Sequence, residues 1–246
     1  MTTLVHIATL TIVASFLSCN GINKPKDKAL LTNDTLVTLD TTLRLDNPKN
    51  LLKNYNGENN RLFVFVGHKI SVDPLPHERG SMDAGFKAKY LVIEKVFGNF
   101  SYDTIEFAAY DHYGIPPFSE YNDVLLFVSS DSGTYYHQKY QYNDVYKTRE
   151  GQWAGTYAFD DYEHEYNRKT KIKPTKIVFA QPVYYPLKKV TEQGDTLTRR
   201  LPKPYFKTIG DSAIVIYGNY VKDLFLLKRD GVLTARDIFK NGKLID

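Results

Sequence analysis

Two five-residue runs, Leu62-Phe63-Val64-Phe65-Val66 and Val124-Leu125-Leu126-Phe127-Val128, set the tightest limit on how this chain can fold. Each is apolar at odd and even positions alike. Side chains of a strand point alternately to its two faces, so such runs belong to strands covered on both sides. Between them, Tyr90 to Phe97 (YLVIEKVF) reads as a strand closed by Gly98-Asn99. Asp103 to Tyr110 alternates, with Ile105, Phe107 and Ala109 on one face and Thr104 and Glu106 on the other. Thr134 to Lys147 is a long, polar, Tyr-bearing strand. Segments 71–85 and 111–120, with Pro74, Pro76, Gly80, Gly85, Gly114, Pro116 and Pro117, read as loops. Five strands in about ninety residues is the scale of a small closed barrel.

The second half is less regular. Lys176 to Ala180 and Val183 to Thr191 read as strands, and Glu192-Gln193-Gly194-Asp195 as a hairpin turn answered by Thr196 to Leu201. Ala213 to Tyr217 is a further strand. Tyr220 to Lys228 places Val221, Leu224 and Phe225 at helical spacing, and Asp230-Gly231 is a stop signal. A short helix is expected over Thr234 to Phe239. Arg168 to Lys207 carries eleven Lys and Arg against Glu192 and Asp195, a local net of +9 within a chain of net +4. With 246 residues, 42% of them hydrophobic, the chain can bury a core without a disulfide or structural metal. The mean hydropathy of -0.39 excludes a polytopic membrane protein.

One cysteine is present, so neither an internal disulfide nor a Cys-based metal cluster can form. It follows an uncharged stretch, MTTLVHIATLTIVASFLS, whose apolar run Leu4 to Leu17 has the size of a signal-peptide core and is shorter than a bilayer span. Phe16-Leu17-Ser18-Cys19, with a small residue before the Cys, resembles the lipobox of bacterial lipoproteins. That resemblance implies diacylglyceryl attachment to Cys19, cleavage before it and acylation of the new amino group. Polar Asn20 to Lys28 (NGINKPKDK) has the texture of a tether. Two or more acyl chains anchor stably where one does not, so membrane attachment in the bacterial cell envelope follows, with the outer membrane as the expected site.

The segment order from 61 to about 150 resembles the netrin-like (tissue-inhibitor-of-metalloproteinase-like) form of the OB barrel. The residues carrying it are Phe63-Val64-Phe65-Val66-Gly67, Tyr90 to Gly98, Asp103-Thr104-Ile105 and Val124-Leu125-Leu126-Phe127. The resemblance implies a fold and a habit of binding macromolecules. It carries over no functional residue, because the disulfide cysteines of the animal members and the free N-terminal Cys of the protease inhibitors have no counterpart here.

Candidate sites are few. On a strand, Tyr136, Tyr140, Tyr142 and Tyr146 share one face by parity, and Trp153 and Tyr157 follow; such a stacking face suits a glycan, a peptide or a protein. Of the six histidines, at 6, 68, 77, 112, 137 and 164, no two lie at i,i+3 or i,i+4, which removes the helical two-His zinc motifs. A metal or acid/base site would need His68 and His112 to meet the acidic run at Asp160 and Glu163 in space. Nucleophile-elbow, Walker-type and dinucleotide-binding motifs are absent.

The expected protein is mainly β. Its parts are a signal peptide (1–18), a lipidated tether and lead-in (19–60), an OB-like (netrin-like) closed barrel (61–150) and a β-rich C-terminal part packed on the barrel, with a short helix (151–246). It is expected to act as a non-catalytic binding or scaffold module for an envelope protein or glycan, without cofactor or nucleic acid. The alternative is a small extracytoplasmic hydrolase or metal-dependent enzyme using the loop His and acidic residues. Their convergence on one pocket would separate the two.

Overall fold

The computed structural model describes residues 62–76, 80–190 and 194–245. The expected signal peptide, Cys19 and the tether lie outside these residues, as do His6 and His77. The first half consists of β1 (Leu62–Pro74), β2 (Ala84–Phe97), β3 (Thr104–Asp111), β4 (Asp123–Asp131) and β5 (Thr134–Lys147). β1 pairs antiparallel with β2 and β4, β2 with β3, and β4 with β5. A parallel bridge between Ala108 and Tyr136 joins β3 to β5. The strands therefore follow one another around a ring in the order β1, β2, β3, β5, β4.

The two doubly apolar runs become the neighbouring strands β1 and β4, and their alternation is used on both faces. Phe63 and Phe65 of β1 meet Val124, Leu126 and Val128 of β4 inside the ring, together with Phe86, Tyr90, Ile105 and Phe107. Leu62, Val64 and Val66 point outward beside Leu125 and Phe127. The register agrees, since Phe65 faces Leu126 and Val64 faces Phe127 across the pair. Burying side chains of this size is worth about 1.5–3 kcal/mol each.

The cover for the outer face comes from the C-terminus. Helix α2 (Val221–Lys228) lays Val221, Leu224, Phe225 and Leu227 on that face, and Leu233 and Phe239 complete it. Phe225 stacks on Phe97 with ring centroids 4.9 Å apart. The expected stop at Asp230-Gly231 is a kink: one wide turn (Arg229–Leu233) continues the helix, with Gly231 at φ -99, ψ -106. A Cβ on Gly231 would lie 2.6 Å from Asn167 Oδ1, so close packing explains the glycine. Residues 234 and 235 are helical, and Phe239 already belongs to a small hairpin, Phe239–Lys240 with Lys243–Leu244, so the second expected helix is shorter than its sequence span.

The rest of the chain extends the sheet. β6 (Trp153–Thr156) pairs with β5, and β13 (Tyr217–Tyr220) bridges β6 to β7 (Thr175–Lys176). A smaller sheet orders β11 (Phe206–Ile209), β12 (Ser212–Val215) and β8 (Tyr184–Pro186). β9 (Lys188–Val190) and β10 (Thr196–Thr198) pair antiparallel, as a hairpin requires. A third core of Ala154, Tyr157, Ile177, Phe179, Val183, Tyr185, Phe206, Ala213 and Val215 holds this region together. Helix α1 (Phe159–Glu163) follows β6. In the loop before β4, a 3₁₀ turn (Pro117–Glu120) buries Phe118 inside the ring. Among the described residues no helix is long and apolar enough to cross a membrane.

Candidate functional site

The site begins with an irregularity in β5. Val128 of β4 faces His137, whereas Leu126 faces Tyr142, so residues 138–141 bulge out of the ladder. Tyr140 carries the bend at φ +66, a left-handed backbone conformation that costs a bulky side chain about 1–3 kcal/mol. His137 closes the bulge. Its Nε2 lies 3.0 Å from the Gln141 carbonyl, which can only accept, so Nε2 carries the proton and donates. The imidazole packs on Phe118 at 4.6 Å inside the ring. Burial pushes its pKa down to about 3, against the opposing hydrogen bond to Gln141.

The bulge also reverses the strand's alternation. Before it, Tyr135 and His137 meet the ring interior, through Phe100 and Phe118, and Tyr136 points outward. After it, Tyr142 packs on the interior core. The expectation that Tyr136, Tyr140, Tyr142 and Tyr146 share a face is therefore corrected: an insertion in the ladder re-aims every residue beyond it.

A cleft of about 690 Å³ opens beside the bulge. One wall is Tyr140 to Asp144 of β5, joined by Tyr121, which like Tyr142 also packs on the ring interior. Opposite lie α1 and the turn after it, with Tyr157, Phe159, Asp160, Asp161, His164 and Tyr166. Tyr185, Arg199, Arg200 and Leu201 come from the smaller sheet and the β10 segment, and Lys228 and Arg236 from the C-terminal helical region. Segments distant in sequence thus meet at one place.

The wall is braced by polar contacts. Lys228, only 4% exposed, donates to Asp161 Oδ1 at 2.9 Å and to Gln141 Oε1 at 3.2 Å, tying α2 to α1 and to the bulge. Tyr157 stacks between Tyr205 at 3.7 Å and Tyr162 at 5.1 Å. The Tyr185 hydroxyl donates to Asp144, which also hydrogen-bonds Tyr146. Burial pushes the Asp144 carboxyl above the ordinary carboxylate range, against these hydroxyls and the Arg199 charge. Burial likewise raises Tyr121 to about 12, helped by the Asp144 charge.

Of the residues singled out from the sequence, Tyr140, Tyr142 and Asp160 line this cleft. Tyr136 and Tyr146 do not, and Tyr146 packs on Phe179 in the third core. Trp153 is 7% exposed and built into the outer core, with Lys147 Nζ 4.2 Å from its ring centre, so it is a wall residue. His68 pairs with Asp123 at 2.8 Å, and His112 contacts the Met82 carbonyl and Asp83. Glu163 is exposed at the end of α1. Among the described residues no three His, Cys, Asp or Glu side chains converge to hold a metal, so His68, His112, Asp160 and Glu163 do not form one site. Tyr157, which follows Trp153 in the sequence pattern, also lines the cleft. Sequence reasoning missed Asp144, which stands on β5 two residues beyond Tyr142, and Tyr166 and Tyr185, which reach the cleft by tertiary folding. Arg199 and Arg200 were visible only as part of the basic stretch.

Comparison with known protein families, with characterised proteins and with solved structures finds no match to this chain.

Proposed function

We propose that this is a lipid-anchored cell-envelope protein, built on an OB-like barrel, that binds a glycan in the tyrosine-lined cleft. The strand order β1-β2-β3-β5-β4 with a parallel β3–β5 closure supports the OB-like reading, as does Phe118 filling the ring from the β3–β4 connection. The single observation that carries the binding reading is the cleft itself. The exposed Tyr140 and Tyr166 rings stand there beside Asp160, Gln141, Asn143 and Arg side chains. Aromatic rings stack on the apolar faces of sugars, and side-chain carboxylates, amides and guanidiniums hydrogen-bond the hydroxyls between them. The left-handed backbone at Tyr140 supports it further, because strain of this kind is retained where a side chain must be aimed.

The test is a glycan array probed with the full chain in detergent, beside Tyr140→Ala and Tyr166→Ala. Both tyrosines are exposed, so the variants should keep the wild-type melting temperature while capture falls about tenfold. Absence of capture, or capture indifferent to both changes, refutes the reading. Attachment is tested separately with a palmitate analogue: wild type should take up label and Cys19→Ser should not. Equal labelling removes the anchor.

One observation favours a hydrolase instead: a half-buried Asp144, its carboxyl shifted upward, shares the cleft with exposed Asp160, as acid and base would. Cleavage of a captured oligosaccharide by wild type and not by Asp144→Asn would establish that reading.

A further inference from the structure

Three guanidinium groups line the cleft, and among the described residues none of them takes part in a salt bridge. Arg199 hydrogen-bonds Tyr121 and lies over the Tyr185 ring, 5.2 Å from its centre. Arg200 lies over the Phe159 ring at 4.4 Å. Arg236 donates to the Lys139 carbonyl at 3.0 Å and to Gln138 Oε1 at 3.3 Å. The carboxylates of the same cleft offset this charge incompletely. Asp161 is taken by Lys228, Asp144 receives the Tyr185 hydroxyl, and only Asp160 stands exposed. A guanidinium resting on a ring keeps its N–H edge available for a planar anion and is weakly hydrated, so its desolvation cost on binding is low.

We propose that the cleft takes an acidic saccharide, whose ring carboxylate is held by Arg199 and Arg200 while its sugar rings stack on the tyrosines. This rests on the glycan reading above and narrows it to one ligand class. A chain charged at every residue, such as a nucleic acid, is disfavoured because Asp144 and Asp160 face the same space. A saccharide with one carboxylate among neutral rings matches both signs: guanidiniums for the carboxylate, side-chain carboxyl oxygens for hydroxyls. The two arginines come from the basic 168–207 stretch, and this assigns part of that stretch a ligand.

The experiment uses the full chain in detergent and a panel of oligosaccharides bearing one uronic or sialic acid, each paired with its carboxyl methyl ester. The acid form is expected to bind about tenfold more tightly than its ester, the value of one or two charge-assisted hydrogen bonds partly open to water. Arg199→Gln combined with Arg200→Gln should abolish the acid's advantage, the acid-to-ester ratio falling from about tenfold to about one. Arg200 is exposed and Arg199 half-buried, so the double variant should melt with the wild type. Equal binding of acid and ester overturns this inference and leaves the glycan reading standing. Acid preference that survives the double variant also overturns it, because the anion then binds elsewhere. Capture of neither form overturns both.

Discussion

His137 sits inside the ring against Phe118 and Phe107, and its proton on Nε2 holds the bulge that shapes the cleft. Burial keeps its pKa near 3 in the folded chain, against 6.5 for a free imidazole, with Arg236 and Lys228 adding smaller effects of the same sign. A folded pKa below the unfolded one means that the unfolded chain takes up a proton first as pH falls. Stability is therefore fully present above about pH 6.5 and is lost progressively toward pH 3. At 1.36 kcal/mol per pH unit the full effect is at most about 5 kcal/mol. Part of the ring edge reaches solvent, which lets the site relax, so a loss of about 2 kcal/mol between pH 7.5 and 4.5 is expected. Urea unfolding at a series of pH values measures it, the midpoint falling by roughly 1 M over that range. His137→Gln removes the titration while keeping a donor for the Gln141 carbonyl. Asp144 acts in the opposite direction, since its raised pKa lets the folded state gain stability as pH falls toward 3.8. It is present in both proteins, so the wild-type-minus-variant difference isolates His137. Equal pH slopes would refute the account of His137 as a buried neutral staple.

Three further outcomes follow from the packing. Asp161→Ala should cost about 3 kcal/mol in urea unfolding, because it strands the Lys228 ammonium, whereas Asp161→Leu with Lys228→Met should recover at least half of that; a single-variant cost below ~0.5 kcal/mol would contradict the buried pair. Gly218→Ala would place a Cβ 2.0 Å from the Gly155 carbonyl oxygen, so a loss above ~3 kcal/mol or failure to fold is expected, read by thermal unfolding. Leu224→Ala empties the centre of the outer core, where Leu224 is 0% exposed, and should cost about 3 kcal/mol. A loss under ~1 kcal/mol there would mean that α2 is not the cover for β1 and β4.

The sequence by itself determined the strands and which of them are covered twice. Leu62 to Val66 and Val124 to Val128 are apolar at every position, short and rich in Val and Phe, which suits a strand with a core on each face. The helix over Val221 to Lys228 was equally legible, because its apolar spacing is local information. The cleft was not. Nothing in Thr134 to Lys147 announces the bulge, since its left-handed residue is Tyr140 rather than Gly or Asn, and the cost is met by His137 and by packing from elsewhere. Parity along a strand holds only while the ladder is regular, so the four-tyrosine face dissolved once residues 138–141 left it. Tyr185, Arg199, Lys228 and Arg236 reach the cleft from elements far from β5 in sequence. Periodicity reports which way a side chain points from its own element. What stands opposite it is decided by long-range packing, and here that packing brought tyrosines, aspartates and arginines to one concave surface.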